Sequence, residues 1–272
     1  MTMVSLGAGL TRRYDRLLEV VSKHPGWVAF SGGVDSTLTL KVSREVNSVS
    51  PVALFADSSL QSEYDRDNVK RLADQLNSDL RIVSFDPFVR ADFAENLKDR
   101  CYLCKKAIFA EFQGMLPFGL VLLDGTNHDD LNDDRPGYRA VVELGVRSPL
   151  AMAGMTKSEV RQISRWLGLP NWGRPSSSCL ATRIPVGFAI TPKLLRHIEE
   201  CERIVRRHVS GHIRVRLVAG SPDDLLVELA REDVEQTGFS SRLEGITEDL
   251  LGLGGGGVNF TLREEAKFDM KS

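Results

Sequence analysis

Trp27-Val28-Ala29-Phe30-Ser31-Gly32-Gly33-Val34-Asp35-Ser36 is the stretch that decides the fold. An apolar run, Trp27 to Phe30, breaks into Ser31-Gly32-Gly33, and a helix-like pattern follows from Ser36. A strand, a glycine-rich turn and a helix N-terminus together make an anion site, because backbone N–H groups converge there and the helix dipole favours negative charge. Two adjacent glycines let the backbone approach a phosphate closely. Ser31 and Ser36 can add hydroxyl donors. Asp35 repels phosphate unless a cation stands between them, so its expected work is to hold Mg²⁺ or to brace the loop. A bare Gly-Gly would read as a tight corner; the flanking serines and aspartate move the reading to a phosphate loop.

Outward from this loop the same unit recurs. Pro51 to Ala56 reads as a buried parallel strand ending in Asp57-Ser58-Ser59, and a polar helix spans about Ser62 to Asn77. Leu80 to Phe85 is a third strand, and Gly119 to Leu123 is a fourth, running into Asp124-Gly125-Thr126-Asn127. Upstream, Arg12 to Lys23 reads as an amphipathic helix stopped by His24-Pro25-Gly26. Thr156-Lys157-Ser158-Glu159 is a capping box opening a helix to Leu167. Strand–helix units of these lengths predict an α/β fold with a doubly wound parallel sheet over residues 1–187. The texture then changes. Thr191-Pro192 starts a helix to about His208, two alternating strands follow at His212 to Val218 and Asp224 to Ala230, and a helix spans about Arg231 to Leu243. A glycine-rich turn, Gly252 to Gly257, precedes Val258 to Leu262. That order predicts a smaller α+β domain over residues 188–272, suited to substrate binding or oligomerisation.

Composition narrows the function. The 272 residues hold 35 basic and 37 acidic side chains, a net charge of −2, and residues 188–272 hold 12 basic and 15 acidic. This balance argues against a protein that grips a nucleic-acid backbone. No apolar run reaches the roughly 18 residues of a membrane span. Met1 to Thr11 lacks the pattern of a signal peptide, so a cytoplasmic location is expected. Four cysteines in that compartment point to ligands, catalytic groups or core rather than to disulfides.

Cys101-x-x-Cys104 opens a helix and admits several readings: a redox dithiol, half of a zinc site, part of an iron–sulfur site, or two residues of a helix face. Cys179, in the irregular Ser-rich stretch Asn171 to Gly187, is available as a third thiolate. Cys201 lies among Ile198, Ile204 and Val205 and reads as core. Three thiolates could hold three irons of a [4Fe–4S] cube and leave the fourth open to carry sulfide. Lys105 and Lys106 suit either charge neutralisation or an exposed helix face, and His128 reads as loop surface.

Ser31 to Ser36 resembles the pyrophosphatase loop of the ATP-pyrophosphatase (PP-loop, adenine nucleotide alpha hydrolase-like) enzymes, which implies cleavage of ATP between its α and β phosphates. A closer resemblance runs through nearly the whole chain. Ser31–Ser36, Asp124-Gly125-Thr126-Asn127, Arg135-Pro136-Gly137, Glu143, Ser148-Pro149-Leu150, Ser178-Cys179, Arg183, Pro185, Thr191, Arg214-Val215-Arg216 and Glu228 together resemble the LarE family. Its members insert sulfur into a pyridinium-3,5-dicarboxylate mononucleotide, whose thiocarboxylates later bind nickel in the pincer cofactor of lactate racemase. The resemblance implies ATP and Mg²⁺ at Phe30, Ser31, Gly32, Gly33, Asp35, Ser36, Asp57, Ser58, Gly125 and Thr126. It implies substrate contacts from Arg183, Glu202, Arg214, Arg216 and Glu228, of which Arg214, Arg216, Glu202 and Glu228 would otherwise read as solvent-facing. Some family members surrender the sulfur of one cysteine, which aligns with Ser178 here; others use three cysteines and a [4Fe–4S] cluster. Cys101, Cys104 and Cys179 fit the second kind, with Asp35 and Ser178 completing the expected catalytic set. The partners implied are the mononucleotide substrate, a sulfide source, a nickel-inserting protein, and a homo-oligomer of dimeric or hexameric order.

Three rivals share the loop. A tRNA-thiolating enzyme would add zinc-binding cysteine clusters or an RNA-binding domain. An ammonia-dependent synthetase would need no cysteine triad. A non-catalytic ATP-binding regulator would be indifferent to all three cysteines.

Overall fold

The structure, a computed structural model, describes residues 6–48, 50–131, 136–235, 238–254 and 256–262. The chain runs α1 (Ala8–Ser22), β1 (Gly26–Ala29), α2 (Val34–Val46), β2 (Ala53–Asp57), α3 (Glu63–Gln75), β3 (Leu80–Ser84), α4 (Ala91–Ala94), α5 (Arg100–Gly114) and β4 (Val121–Leu123). It continues through α6 (Pro136–Glu143), α7 (Pro149–Met152), α8 (Lys157–Trp166), α9 (Pro192–His208), β5 (Arg214–Val218), β6 (Ser221–Leu229), α10 (Arg231–Val234), α11 (Phe239–Gly252) and β7 (Val258–Leu262). Two compact units result: Met1–Ser58 with Glu63–Phe93 and Lys98–Ser177, and Ser59–Ser62 with Ala94–Leu97 and Ser178–Ser272.

The first unit holds a four-stranded, all-parallel sheet in the order β3-β2-β1-β4. Successive residues of β1 point to opposite faces, and both faces are apolar. Trp27 packs with Leu54, Leu122, Phe109, Phe112 and Val141, which brings α5 and α6 against one face. Val28 and Phe30 pack with Leu40, Val69, Leu72 and Leu123, which brings α2 and α3 against the other. A further cluster joins α1, α2 and α8 through Leu17, Leu38, Val42, Val160 and Ile163. β1 and β2 are buried on both faces, which explains why they read as continuous apolar runs. Chain order reverses between β1 and β4, the place where open α/β sheets bind ligands beyond their strand ends. The capping box of α8 is present: Glu159 N–H donates to Thr156 Oγ1 at 3.3 Å, and Thr156 N–H to Glu159 Oε2 at 2.8 Å.

The second unit holds β5-β6-β7, with β5 and β6 antiparallel and β6 and β7 parallel. Thr191 Oγ1 caps α9 by accepting from Leu194 N–H at 3.1 Å, and Pro192 opens the helix. Leu195, Ile198, Cys201, Ile204 and Val205 of α9 are buried, as are Val215 and Leu217 of β5 and Ile246 and Leu250 of α11. Two expectations here are corrected. The helix expected over Arg231–Leu243 is two helices, α10 and α11, with Gly238 at φ +78° at the N-cap of the second. The expected turn at Gly252–Gly257 begins late, because α11 runs through Gly252. Arg135 of the family motif lies outside the described residues.

Candidate functional site

β1 delivers Ser31–Ser36 to the reversal point, and Phe30 anchors it with a ring buried in the core. Gly32 sits at φ +69°, a backbone conformation glycine adopts without strain. Gly33 is the N-cap of α2 and has no side chain to satisfy the first N–H groups of the helix, which leaves them for a ligand. The two serines form one hydroxyl network. Ser36 Oγ donates to the Gly33 carbonyl at 3.1 Å and accepts from Ser31 N–H at 3.3 Å, and the two hydroxyls lie 3.2 Å apart.

Asp35 occupies the first turn of α2, where Asn127 Nδ2 donates to its Oδ1 at 3.1 Å. Asn127 is itself held: its Oδ1 accepts from the backbone N–H groups of Asp129 and Asp130, at 3.0 and 3.2 Å. Burial raises the pKa of the Asp35 carboxyl; the Asn127 hydrogen bond pulls it back, Asp130 adds to the rise and Lys157 opposes it. This carboxylate is short of positive charge, so its chemistry fits a Mg²⁺ ion brought in by a polyphosphate.

The end of β4 closes the loop's other side. A Cβ on Gly125 would stand 2.7 Å from the Ser36 nitrogen, so only glycine permits this backbone-to-backbone approach. Asp124 is buried and accepts from Thr126 N–H (3.1 Å), Thr126 Oγ1 (2.6 Å), Ser148 Oγ (2.7 Å) and Lys105 Nζ (3.3 Å). Lys105 therefore ties the cysteine-bearing α5 to the end of β4, while Lys106 pairs on the surface with Glu143 at 2.5 Å. At the end of β2, Asp57 pairs with Arg66 Nε at 2.7 Å, and Arg66 Nη2 also donates to the Ser58 carbonyl at 2.7 Å. His128 is exposed, as expected.

All four cysteines are reduced thiols. Cys101 and Cys104 lie near the N-terminus of α5, the former exposed and the latter half-buried. Cys179, half-buried, belongs to the second unit. Three solvent-reachable thiols are donors of the right kind for an iron–sulfur cluster. Among the described residues no group of three His, Cys, Asp or Glu is assembled around a metal position. Cys201 is of another kind: it is fully buried, and burial with Glu200 and Glu202 nearby pushes its thiol up to about 12.

In the second unit Arg183 is only 3% exposed. Its Nε donates to Glu202 Oε1 at 2.8 Å, and its Nη1 to the Ser178 carbonyl and hydroxyl at 2.8 and 2.9 Å. Glu202 Oε1 also accepts from Val215 N–H at 3.2 Å. Arg216 pairs with Glu228 and donates from Nη1 to the Thr182 carbonyl at 2.5 Å. Burial, and then the charges of Arg183 and Arg216, lower the pKa of Arg214. Three guanidiniums thus meet two carboxylates, an excess of positive charge fit for a phosphate or carboxylate. Read from the strand and helix alone, Glu202 and the two β5 arginines face solvent; in fact Glu202 is buried and Arg214 and Arg216 are half-buried.

Sequence reasoning left three residues without a role. Asn127 stands in a quoted motif, but nothing local links it to Asp35. Asn68 and Asn171, both buried, donate to the Gly32 carbonyl. The one signal for Asn171 is its place at the start of a stretch too apolar for a linker.

The relatives of this chain include pyridinium-3,5-bisthiocarboxylic acid mononucleotide synthase of Lactiplantibacillus plantarum, 30% identical over 249 residues that make up 86% of this chain and 89% of that protein. An uncharacterised protein of Synechocystis is 37% identical over 215 residues, 77% of this chain and 78% of its own length. One of Methanocaldococcus jannaschii is 33% identical over 192 residues, 70% and 72%. No family model matches the chain.

Proposed function

This chain belongs to the LarE family, that of pyridinium-3,5-bisthiocarboxylic acid mononucleotide synthase, and from that premise we propose that it is an ATP-dependent sulfur insertase. It adenylates the carboxylates of pyridinium-3,5-dicarboxylate mononucleotide and replaces oxygen with sulfur, for the nickel-pincer cofactor of lactate racemase. The observation that carries the reading is the Ser31–Ser36 loop at the sheet's reversal point, with Asp35 held by Asn127 and uncapped N–H groups at the start of α2.

A substrate carboxylate oxygen attacks the α-phosphorus of ATP, and pyrophosphate leaves. Loop N–H groups and the Ser31 and Ser36 hydroxyls neutralise the phosphate oxygens as charge builds on the leaving group. Asp35 supplies a carboxylate for Mg²⁺. Sulfide then adds to the carbonyl carbon of the acyl-adenylate, and AMP departs with the original carboxylate oxygen. Arg183, Arg214 and Arg216 hold the substrate's phosphate or free carboxylate, and Glu202 and Glu228 set their orientation. Cys101, Cys104 and Cys179 would hold a [4Fe–4S] cluster, whose chemical contribution is an iron with an open position for sulfide. The reading takes in a sulfide source, a nickel-inserting partner, a homo-oligomer and a cytoplasmic setting.

The test is anaerobic purification with iron and sulfide analysis, followed by assay with ATP, Mg²⁺ and the dicarboxylate nucleotide. Expected are an oxygen-sensitive iron protein, release of AMP and pyrophosphate, a thiolated product and an unchanged protein mass. Absence of ATP-dependent thiolation overturns the function. An iron-free protein that loses one H₂S per turnover overturns the cluster.

A further inference from the structure

The carbonyl of Gly32 is gripped by two side-chain amides from distant parts of the chain. Asn68 Nδ2, on α3, donates to it at 3.2 Å, and Asn171 Nδ2, after α8, at 3.1 Å. Both asparagines are buried, at 4% and 5% exposure. The orientation of each amide follows from its other contacts. Asn68 Oδ1 accepts from Arg71 Nη2 at 2.9 Å, which turns its NH₂ to Gly32. Asn171 Nδ2 also donates to Thr37 Oγ1 at 2.9 Å, whose own proton goes to the Gly33 carbonyl at 2.8 Å. A flipped Asn171 would set its acceptor against two oxygens.

In a trans peptide the C=O and the following N–H point in opposite directions. Holding the Gly32 carbonyl inward therefore turns the Gly33 N–H outward. Among the described residues that N–H has only a long hydrogen bond to Ser31 Oγ, 3.4 Å, and remains available to a stronger acceptor. The Gly32–Gly33 link is where such a loop could most easily invert, because neither residue has a Cβ to resist the change. Inverted, it would present a carbonyl lone pair to a phosphate oxygen.

We infer that Asn68 and Asn171 are positioning residues of the nucleotide loop, which hold the Gly32–Gly33 peptide so that its N–H and not its carbonyl faces the phosphate. The inference rests on the ATP-binding reading above. Two amides on one carbonyl make the hold partly redundant, so losing both has a larger effect than the two single losses combined.

The experiment is a double-mutant cycle on the full chain, with Asn68→Ala, Asn171→Ala and the pair, read as Mg·ATP Kd beside affinity for the mononucleotide. Each single change is expected to raise the ATP Kd roughly fivefold. The pair is expected to exceed the product of the singles, with mononucleotide affinity unchanged. Asn171→Asp keeps the side chain's size and covers the case of a pair that does not fold. Its ionised carboxylate cannot donate to Gly32, whereas the protonated form can, so its ATP Kd relative to wild type should worsen as pH rises from 5.5 to 8. Wild-type protein that fails to bind ATP overturns the functional reading and this inference with it. Wild type that binds while the pair, or Asn171→Asp at every pH, binds equally well overturns this inference alone.

Discussion

Arg183 donates from a single guanidinium nitrogen to both the carbonyl oxygen and the hydroxyl of Ser178, at 2.8 and 2.9 Å. A cationic nitrogen therefore stands at the position the family resemblance aligns with a sulfur-donating cysteine. A thiol placed there would have its thiolate favoured by the guanidinium. Ser178→Cys is expected to confer a single iron-independent turnover. Intact-mass analysis of the iron-stripped variant, with ATP, Mg²⁺ and the dicarboxylate nucleotide, should show a fraction lighter by one H₂S. An unchanged mass with no product would count against this alignment.

Arg183 and Glu202 form an ion pair with side chains 3% and 4% exposed. Removing one partner leaves the other charge buried and uncompensated, at a cost of about 3–5 kcal/mol. Glu202→Ala should lose about that much stability in urea denaturation. Glu202→Gln, which can still accept a hydrogen bond from Arg183, should lose less. Equal losses would mean that charge contributes nothing at this pair.

The raised pKa of Asp35 has a stability consequence with a definite sign. The folded protein holds the Asp35 proton more tightly than the unfolded chain does. Stability from this group is complete below the ordinary carboxyl value of about 3.9 and is lost as pH rises through the raised value. Asp35→Asn removes that loss, so the variant should be more stable than wild type above that range and gain nothing below it. Its pyrophosphate release should fall about a hundredfold or more, since Asn cannot supply the anionic ligand. Urea midpoints from pH 3.5 to 8, beside pyrophosphate assays, check both halves.

Gly125→Ala should weaken ATP binding and destabilise the fold by about 1–3 kcal/mol, because the added Cβ meets the Ser36 backbone at 2.7 Å and neither the end of β4 nor the first turn of α2 can yield freely. Calorimetric titration with Mg·ATP and a urea curve measure the two effects. A fully stable variant with wild-type affinity would show that the close approach is not needed.

The cysteines should divide by burial. Cys101→Ser, Cys104→Ser and Cys179→Ser are each expected to lower iron content and abolish thiolation while leaving pyrophosphate release in place. Cys201→Ser should keep its iron and lose roughly 1–2 kcal/mol of stability, since it buries a hydroxyl among α9 apolar side chains. Iron retained in all three of the first group would remove the cluster from the function.

The local patterns carried a good deal. Apolar runs of strand length separated by helical stretches are what a sheet buried on both faces requires, and the Trp27/Val28 alternation bears that reading out. The capping box at Thr156 and the Pro192 start of α9 were legible because both are set by residues within one helical turn. The long helix expected from Arg231 was misread because helical periodicity passes over Gly238, whose left-handed backbone breaks it. Local pattern alone did not show that Glu202 is buried, because an acidic side chain on an amphipathic helix looks solvated until its buried partner, Arg183, is known.

What the sequence by itself determined is the glycine-rich strand–loop–helix corner, the α/β class with a parallel sheet and the LarE kinship, all of which reside in contiguous or regularly spaced residues. Tertiary structure alone decided which groups those residues meet. Asn127 reaches Asp35 across 92 residues and Asn171 reaches Gly32 across 139. Gly125 touches Ser36 because β4 returns beside β1. Such pairings depend on strand order, and strand order is a property of the packed sheet that no local spacing encodes.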